Sequence, residues 1–229
     1  MKAFGMIEVY SFTTAVVAAD TMAKAGNVKV IAFDRNRPFN PGFPVPLIMG
    51  TKIEGDVADV KAAVEAALTT DGPFYLRFGR FAVPVINDTP DYKFELGKGV
   101  LLADGTDVTI VATGLMVSMA LEAKELLAAE GISARVINIY TIKPIDRDII
   151  TKAAAETGAI VTAEEHNIIG GLGAAVAETV CETAPVPVVR VGMNDTYGHS
   201  GTVPALLEAY GLTPAHIVES AKKAISLKK

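Results

Sequence analysis

"VTIVATGLMVSMALEAKELLAAEG" (residues 108–131) decides the fold of the second half of the chain, because it joins an apolar run directly to a helical pattern. A continuous apolar run of this kind is typical of a parallel strand that is buried on both faces. In the segment after this run, Met116, Ala120, Ala123 and Leu127 recur at helical spacing, and Gly131 is a suitable helix terminator. The stretch therefore predicts a buried strand followed by a helix that packs on the sheet.

The same alternation continues to the end of the sequence. Further strands are predicted in "ARVINIY", "AIVTAEE" and "VPVVRVG", and the helices between them in "DRDIITKAAAETG" and "GAAVAETVCETA". Two last helices are predicted near 202–210 and 214–226. Alternating strands and helices favour right-handed crossovers and a mainly parallel sheet, and we expect a three-layer α/β/α domain. The polar, turn-rich "NDTPDYKFELGKGVLLADGTD" before it is interpreted as a linker.

The first part of the chain has a different order of elements. Strands are predicted in "AFGMIEVY", "VKVIAFDR" and "LIMGTKIEG", with helices in "FTTAVVAADTMAKAG" and "DVADVKAAVEAAL". The proline-rich "NRPFNPGFPVP" between two of the strands must be a loop. We therefore expect an α/β chain with a small β-α-β-β-α domain over 1–70, a closing strand and junction over 71–90, and the α/β/α domain over 91–229.

Composition excludes several classes of function. The net charge of −5 comes from 21 basic and 26 acidic residues that are spread along the chain, without the basic patch that nucleic-acid binding requires. No apolar run is long enough for a membrane helix, and the N-terminus lacks the apolar region of a signal peptide, so a cytoplasmic protein is expected. The single cysteine, Cys181, is interpreted as a buried structural thiol, and the C-terminal lysines as a solvated tail.

"EEHNIIGGLGAA" (164–175) is the most informative motif of the second half, because it follows a strand and leads into a helix. Its glycines fit either a structural turn or a ligand site, and their spacing is not that of a dinucleotide fingerprint. Glu164, Glu165 and His166 are candidate cleft residues, and His199 in "MNDTYGHSG" is a fourth. The three histidines have no metal-ligand spacing, so no metal site is predicted.

Three basic residues in the first half are further candidates. Arg77 and Arg80 in "YLRFGR" lie near a predicted strand end, where an arginine can bind a phosphate or form a surface ion pair. Lys24 follows the first predicted helix, where either solvent exposure or subunit packing is compatible with the pattern.

The second half resembles the C-terminal domain of the transketolase family, from about Asp71 to about Ala224. The resemblance is carried by "DVTIVATGLMVSMALEAKELLAAEGISARVINIYTIKPID", "GAIVTAEEHNIIGGLGAAVAE" and "VGMNDTYGHSGTVPALLEAYGL". It implies that Arg80 helps to hold the phosphate of a sugar substrate. It also implies that the domain carries no catalytic residue of its own, since the family places thiamin diphosphate and Mg²⁺ between two other domains. The "GDG" motif that binds the metal in the family is absent here, so the cofactor is expected only in complex with a transketolase N-terminal-type partner subunit.

The first half resembles the bacterial microcompartment shell domain. The resemblance is carried by "AFGMIEVYSFTTAVVAADTMAKAGNVKVIAFDR" and "VPLIMGTKIEGDVADVKAAVEAAL". It implies a homo-hexamer that tiles into sheets, with Lys24 at the tile edge and a microcompartment association. The helix at 56–68 fits both families, so the two segments are expected to meet within roughly 55–71.

These resemblances lead to three functional hypotheses. The first is a non-autonomous transketolase-type subunit that carries a shell-like assembly module. The second is a structural shell protein whose C-terminal domain is not catalytic. The third is an incomplete shell module that only pairs with an enzyme partner. Fold resemblance alone does not choose among them.

Overall fold

The computed structural model describes residues 93–228 without a break, together with Ala66, Tyr75, Val83, Pro84 and Ile86. Lys24, Arg80 and nearly all of the predicted 1–70 domain and 71–90 junction lie outside the described residues. The unbroken segment corresponds to the predicted C-terminal domain.

The domain alternates strands and helices, as the sequence predicts. The strands are β1 (Val100–Ala103), β2 (Val108–Ala112), β3 (Ala134–Asn138), β4 (Ile160–Asn167) and β5 (Val188–Met193). The helices are α1 (Met116–Ala129), α2 (Arg147–Thr157), α3 (Leu172–Thr183), α4 (Val203–Ala209) and α5 (Pro214–Ser226). In this part of the chain, no helix has the length and apolar character that crossing a membrane requires.

The five strands form one sheet in the order β1-β3-β2-β4-β5. The strand pairs β2–β3, β2–β4 and β4–β5 are parallel, and β1 pairs antiparallel with β3. Ile110 in the central strand stands beside Val136 of β3 and Val161 of β4. The prediction of a mainly parallel sheet is confirmed.

Helices cover both faces of the sheet, because successive side chains of a strand point to opposite faces. One core contains Ile110 of β2 together with buried residues of α1 and α5, among them Leu127 and Ile217. The other core contains Val111 of β2 with buried residues of α2 and α3, among them Ile150 and Val176. This double burial explains the unbroken apolar run in β2 and confirms the three-layer architecture.

The predicted linker contains a strand, so that part of the interpretation is wrong. β1 lies inside "NDTPDYKFELGKGVLLADGTD", and Leu101 pairs with Ile137 of β3. The pattern was misleading because β1 is a short edge strand, partly exposed, that is flanked by turn residues. Its pairing depends on a strand more than thirty residues away, which local sequence does not reveal.

An ion-pair network fixes the turn between β1 and β2. Arg135 of β3 is buried, and its Nη2 lies 2.7 Å from Asp104 Oδ1, while its Nη1 lies 2.5 Å from Glu156 Oε2 of α2. The backbone N–H of Gly105 also donates to Asp104 Oδ1, at 2.8 Å. This hydrogen bond and the Arg135 guanidinium hold the pKa of the Asp104 carboxyl below its usual range. The network therefore joins the turn, the sheet and α2 through charged hydrogen bonds.

Two minor predictions are also wrong. Cys181 is exposed, because the buried face of α3 passes through Val176, Thr179 and Val180 and leaves the next position outside. Lys228 is not simply solvated, since its Nζ donates to the backbone oxygen of Asp107. The C-terminal residue of the described chain is thereby attached to the start of β2.

Candidate functional site

The candidate residues of the second half lie at the carboxyl ends of β4 and β5. These strands are parallel neighbours, with Ile160 beside Val188 and Asn167 beside Met193. Open α/β sheets bind ligands at the carboxyl ends of their strands. The loops that leave β4 and β5 therefore form the candidate site, which we call the carboxyl edge.

Glu164 is buried beneath this edge, with 2% of its surface exposed. Its Oε2 accepts a hydrogen bond from the backbone N–H of Leu172 at 2.8 Å, and its Oε1 accepts one from Gly173 N–H at 2.7 Å. Both donors belong to the first turn of α3, where backbone N–H groups lack helical partners and the helix dipole favours a negative charge. The carboxylate of Glu164 thus caps α3 from inside the protein.

Gly171 makes room for this cap, and Gly173 makes room for Arg190 of β5. A Cβ atom at Gly171 would lie 2.0 Å from Glu164 Oε2, and one at Gly173 would lie 2.8 Å from Arg190 Cδ. The helix N-terminus, where a ligand anion was one of the two readings, holds the carboxylate of Glu164 instead. Of the two readings of "GGLG", this geometry supports the structural turn.

Thr162 of β4 lies beside the same turn, and its Oγ1 has no hydrogen-bond partner among the described residues although it is buried. Thr162→Val is expected to raise the free energy of unfolding by about 1 kcal/mol, since it removes a buried polar atom that forms no hydrogen bond with the described residues. The matched control is Thr109→Val, because Thr109 Oγ1 is also buried but lies 2.9 Å from Thr157 Oγ1. We expect Thr109→Val to lower the free energy of unfolding measured in urea. A change of the same sign in both variants would contradict the prediction.

A polar bridge joins the two loops. Asn167 Nδ2 donates to Asp195 Oδ1 at 2.8 Å, and Asn167 Oδ1 accepts from the backbone N–H of Ile169 at the same distance. Asp195 has a positive φ of 53°, a conformation that asparagine and aspartate tolerate better than most residues. Arg190 Nη1 donates to the backbone oxygen of Ile168 at 2.9 Å. The loop after β4 is therefore held from two directions.

His199 lies on the loop after β5 and is exposed. Its backbone N–H donates to Tyr210 Oη at 2.8 Å, and its Nδ1 lies 2.9 Å from the same oxygen. Tyr210 Oη also lies 3.2 Å from the backbone oxygen of Tyr197. Tyr210, which follows α4, thus fixes this exposed loop through a single hydroxyl group.

The structure does not bring all the predicted residues together. Glu165 and His166 are half-buried at the end of β4, whereas Glu164 is enclosed and engaged with α3. His216, the third histidine, lies in the first turn of α5, with its Nδ1 3.7 Å from Glu219 Oε2. No group of acidic, histidine or cysteine side chains in the described residues is arranged to hold a metal ion.

The sequence did not reveal the contacts that organise this edge. Asn167, Asp195 and Tyr210 organise the loops, and none of them belongs to a recognisable catalytic motif. Asp195 is close to His199 in sequence, but it bonds to Asn167. The arrangement offers an imidazole, a phenol and an amide–carboxylate pair on an ordered surface, which suits binding of a polar group.

Comparison with known families identifies the domain. The family model for the transketolase C-terminal domain matches residues 97–217, more than half of the chain. The chain belongs to the transketolase C-terminal domain family. A second family model, for the BMC domain, matches residues 3–73, so both resemblances seen in the sequence are present in one chain.

Two curated relatives of this transketolase-family chain are named as subunits. It is 47% identical over 166 residues to the 6-deoxy-6-sulfo-D-fructose transketolase subunit SqwH of Clostridium sp., a match that covers 72% of this chain and 51% of that protein. It is 42% identical over 166 residues to a subunit of the apulose-4-phosphate transketolase of Phocaeicola vulgatus, covering 72% of this chain and 53% of that protein. The chain therefore spans about half the length of the curated relatives that it matches.

A solved structure shares the fold. A split-gene transketolase, whose structure is described as an "inactive beta4 tetramer" of that protein, superposes with a TM-score of 0.73 and 51% sequence identity. The match covers 77% of this chain and 57% of that one. The transketolase-type part of the chain thus corresponds to only part of a subunit in each of these relatives.

Proposed function

We propose that this chain is a non-autonomous transketolase-type subunit that carries a shell-like assembly module. Two-carbon ketol transfer between sugar phosphates would require a partner subunit of the transketolase N-terminal type. The observation that carries this proposal is the coverage of the relatives: two of them are named as transketolase subunits, and this chain matches only about half of each.

The described residues do not fit the cofactor of the family. The N-terminus of α3 is filled by the Glu164 carboxylate, which would repel a diphosphate at that position. No metal-binding cluster lies among the described residues, and the full sequence has no "GDG" motif. We therefore assign thiamin diphosphate and Mg²⁺ to the partner subunit.

Arg80 is the residue of this chain that we propose to contact substrate. Its guanidinium would bind a sugar phosphate through paired charged hydrogen bonds. The support is the "YLRFGR" motif and its place before the transketolase-type domain.

The assembly module is proposed to occupy the first part of the chain. The BMC family model over residues 3–73 supports a homo-oligomer formed through this segment, and a hexamer is the form that the family resemblance implies. Lys24 would lie at the edge between tiles. Such a module would place the transketolase-type domain in the cytoplasm on, or next to, a microcompartment shell.

The catalytic part of the proposal predicts dependence on a partner. The purified chain, supplied with thiamin diphosphate, Mg²⁺, a ketose phosphate and an aldose phosphate, should show no ketol transfer above background. Adding a thiamin-binding subunit of a split transketolase should produce turnover, measured by coupled assay of the new ketose phosphate. Turnover by the chain alone would contradict the proposal.

In the reconstituted complex, Arg80→Ala should lower kcat/KM for phosphorylated sugars about 10- to 100-fold, since a charged hydrogen bond contributes about 1.5–3 kcal/mol. The loss should appear mainly as a raised KM. Arg77→Ala is the matched control and should leave kcat/KM within about twofold. Equal losses from both variants would show that Arg80 has no specific role.

The structural alternative is a shell protein whose C-terminal domain is not catalytic. The BMC match supports it as well, because assembly does not depend on enzyme activity. This alternative would be favoured if the chain assembles into rings but shows no ketol transfer when a thiamin-binding subunit is added.

A further inference from the structure

The hydroxyl group of Tyr210 has three neighbours and only one proton to give. Its oxygen lies 2.8 Å from His199 N, 2.9 Å from His199 Nδ1 and 3.2 Å from the backbone oxygen of Tyr197. A phenol donates one hydrogen bond and accepts through its lone pairs. These three contacts therefore restrict where each proton can be.

Two of the three contacts have fixed roles. The backbone N–H of His199 can only donate, so it occupies one acceptor position of the phenol oxygen. The carbonyl of Tyr197 can only accept, so it takes the phenol proton. The contact with His199 Nδ1 is then satisfied only if Nδ1 itself carries a proton and donates it to Tyr210.

The opposite assignment leaves an unfavourable contact. If the phenol donated to an unprotonated Nδ1, the Tyr197 carbonyl would face another oxygen at 3.2 Å without a proton between them. Which imidazole nitrogen carries the proton is set by the hydrogen bond that the other makes. The fully paired arrangement is therefore the favoured one.

We infer that Tyr210 holds neutral His199 as the Nδ1–H tautomer, so that Nε2 is presented as a hydrogen-bond acceptor at the carboxyl edge. Nε2 makes no hydrogen bond with any residue that the structure describes. Its ligand would be a neutral donor, and the hydroxyl group of a polyol or sugar is the chemical class that fits. The tautomer does not depend on the proposed transketolase role, whereas the choice of a sugar as the source of the hydroxyl does.

The surrounding loop is ordered in a way that suits binding. Asp195 at its start is bonded to Asn167, and Tyr210 holds Tyr197 and His199 near its middle. The side chain of Tyr197 is nevertheless 96% exposed. An exposed loop that is fixed by hydrogen bonds rather than by apolar burial loses little entropy when a ligand binds.

Nitrogen-15 NMR of the full chain tests the inference at a pH well above about 6.5, where imidazoles are neutral. We expect a pyrrole-type shift for His199 Nδ1 with a directly bonded proton, and a pyridine-type shift for Nε2. His166 and His216 are assigned in the same spectrum by the variants His166→Gln and His216→Gln. A wild-type spectrum with the proton on His199 Nε2 would overturn the inference, whatever the variants do.

Tyr210→Phe provides the second arm, since it keeps the ring and removes only the hydroxyl. It should abolish the preference for Nδ1–H at His199 and leave the other two histidines unchanged. Diethyl pyrocarbonate, which modifies unprotonated imidazole nitrogens, should react at His199 Nε2 in the wild type; mass spectrometry locates the modified residue, and nitrogen-15 NMR identifies the modified nitrogen. Modification at Nδ1, or the same tautomer in Tyr210→Phe, would show that Tyr210 does not set the proton position.

Discussion

Gly105→Ala is expected to destabilise the C-terminal domain by about 3 kcal/mol or more, the upper range for overpacking a site that cannot relax. The Cβ atom of an alanine would lie 2.3 Å from the carbonyl carbon of Ala134 and 2.5 Å from the nitrogen of Arg135. Both contacts are with the backbone of β3, which is paired on both sides in the sheet. Neither neighbour can move away as a flexible side chain would.

The turn at Gly105 also cannot shift without losing hydrogen bonds. Thr106 N and Asp107 N both donate to the backbone oxygen of Ser133, at 3.1 and 2.8 Å. Asp104, which lies in the same turn, is held by Arg135 of β3. A displacement that relieves the clash would therefore weaken these contacts together.

Urea unfolding of the full chain, with hydrogen exchange of peptides from β2 and α1, measures the effect on this domain. Gly198→Ala is the matched control, because a Cβ atom there would meet nothing within 4 Å. The control should change stability by less than about 0.5 kcal/mol. Equal stability of the two variants would show that the β1–β2 turn does not pack closely against the backbone of β3.

Glu164→Gln is expected to lower the free energy of unfolding by about 2–4 kcal/mol, which is the second large effect. Hydrogen bonds to charged groups contribute about 1.5–3 kcal/mol each. The carboxylate accepts from Leu172 N–H and Gly173 N–H in a site that is 2% exposed. A glutamine has nearly the same shape but can accept through one oxygen only. Its NH₂ group would face the second backbone N–H, donor against donor.

The matched control applies the same substitution on the surface. Glu182 lies 2.7 Å from Arg147 in an exposed ion pair, so Glu182→Gln should cost less than about 1 kcal/mol. A double-mutant cycle with Gly171→Ala adds a test of mechanism, since that Cβ atom would lie 2.0 Å from Glu164 Oε2. The two substitutions should be strongly non-additive. Additive losses, or a cost for Glu164→Gln no larger than the control, would contradict the capping role.

The regular elements were predictable because their signals are local. The apolar run of β2, the helical spacing in α1 and the glycine at 131 all lie within one short stretch, and the structure places each where expected. β1 was missed since it depends on pairing with distant β3. Its own sequence contains the turn residues that usually mark a linker.

The site was only partly predictable for the same reason. The sequence shows Glu164 and the glycines of "GGLG" in one motif, but not that the carboxylate folds onto the amides of the next helix. The link from Tyr210 to His199 crosses the whole of α4 and has no pattern in the sequence. Residue types near a strand end indicated where a site would lie, and the contacts that define it are tertiary.

The helix predicted over 56–68, which was expected to serve both folds, lies inside the BMC match. The BMC model ends at residue 73 and the transketolase model begins at residue 97. The boundaries 1–70, 71–90 and 91–229 remain predictions, as do the roles of Lys24 and Arg80.

The proposed function requires that one chain joins an assembling shell-like module to a transketolase-type domain. The most direct test is the native mass of the chain, measured by light scattering coupled to size exclusion, with negative-stain imaging of the main peak. The predicted result is a flat ring of about six copies of the 24.0 kDa chain. Lys24→Asp should leave the rings intact but weaken their association into sheets. A monomer or dimer in the wild-type peak would contradict the account and leave only the partner-dependent enzyme domain to be tested.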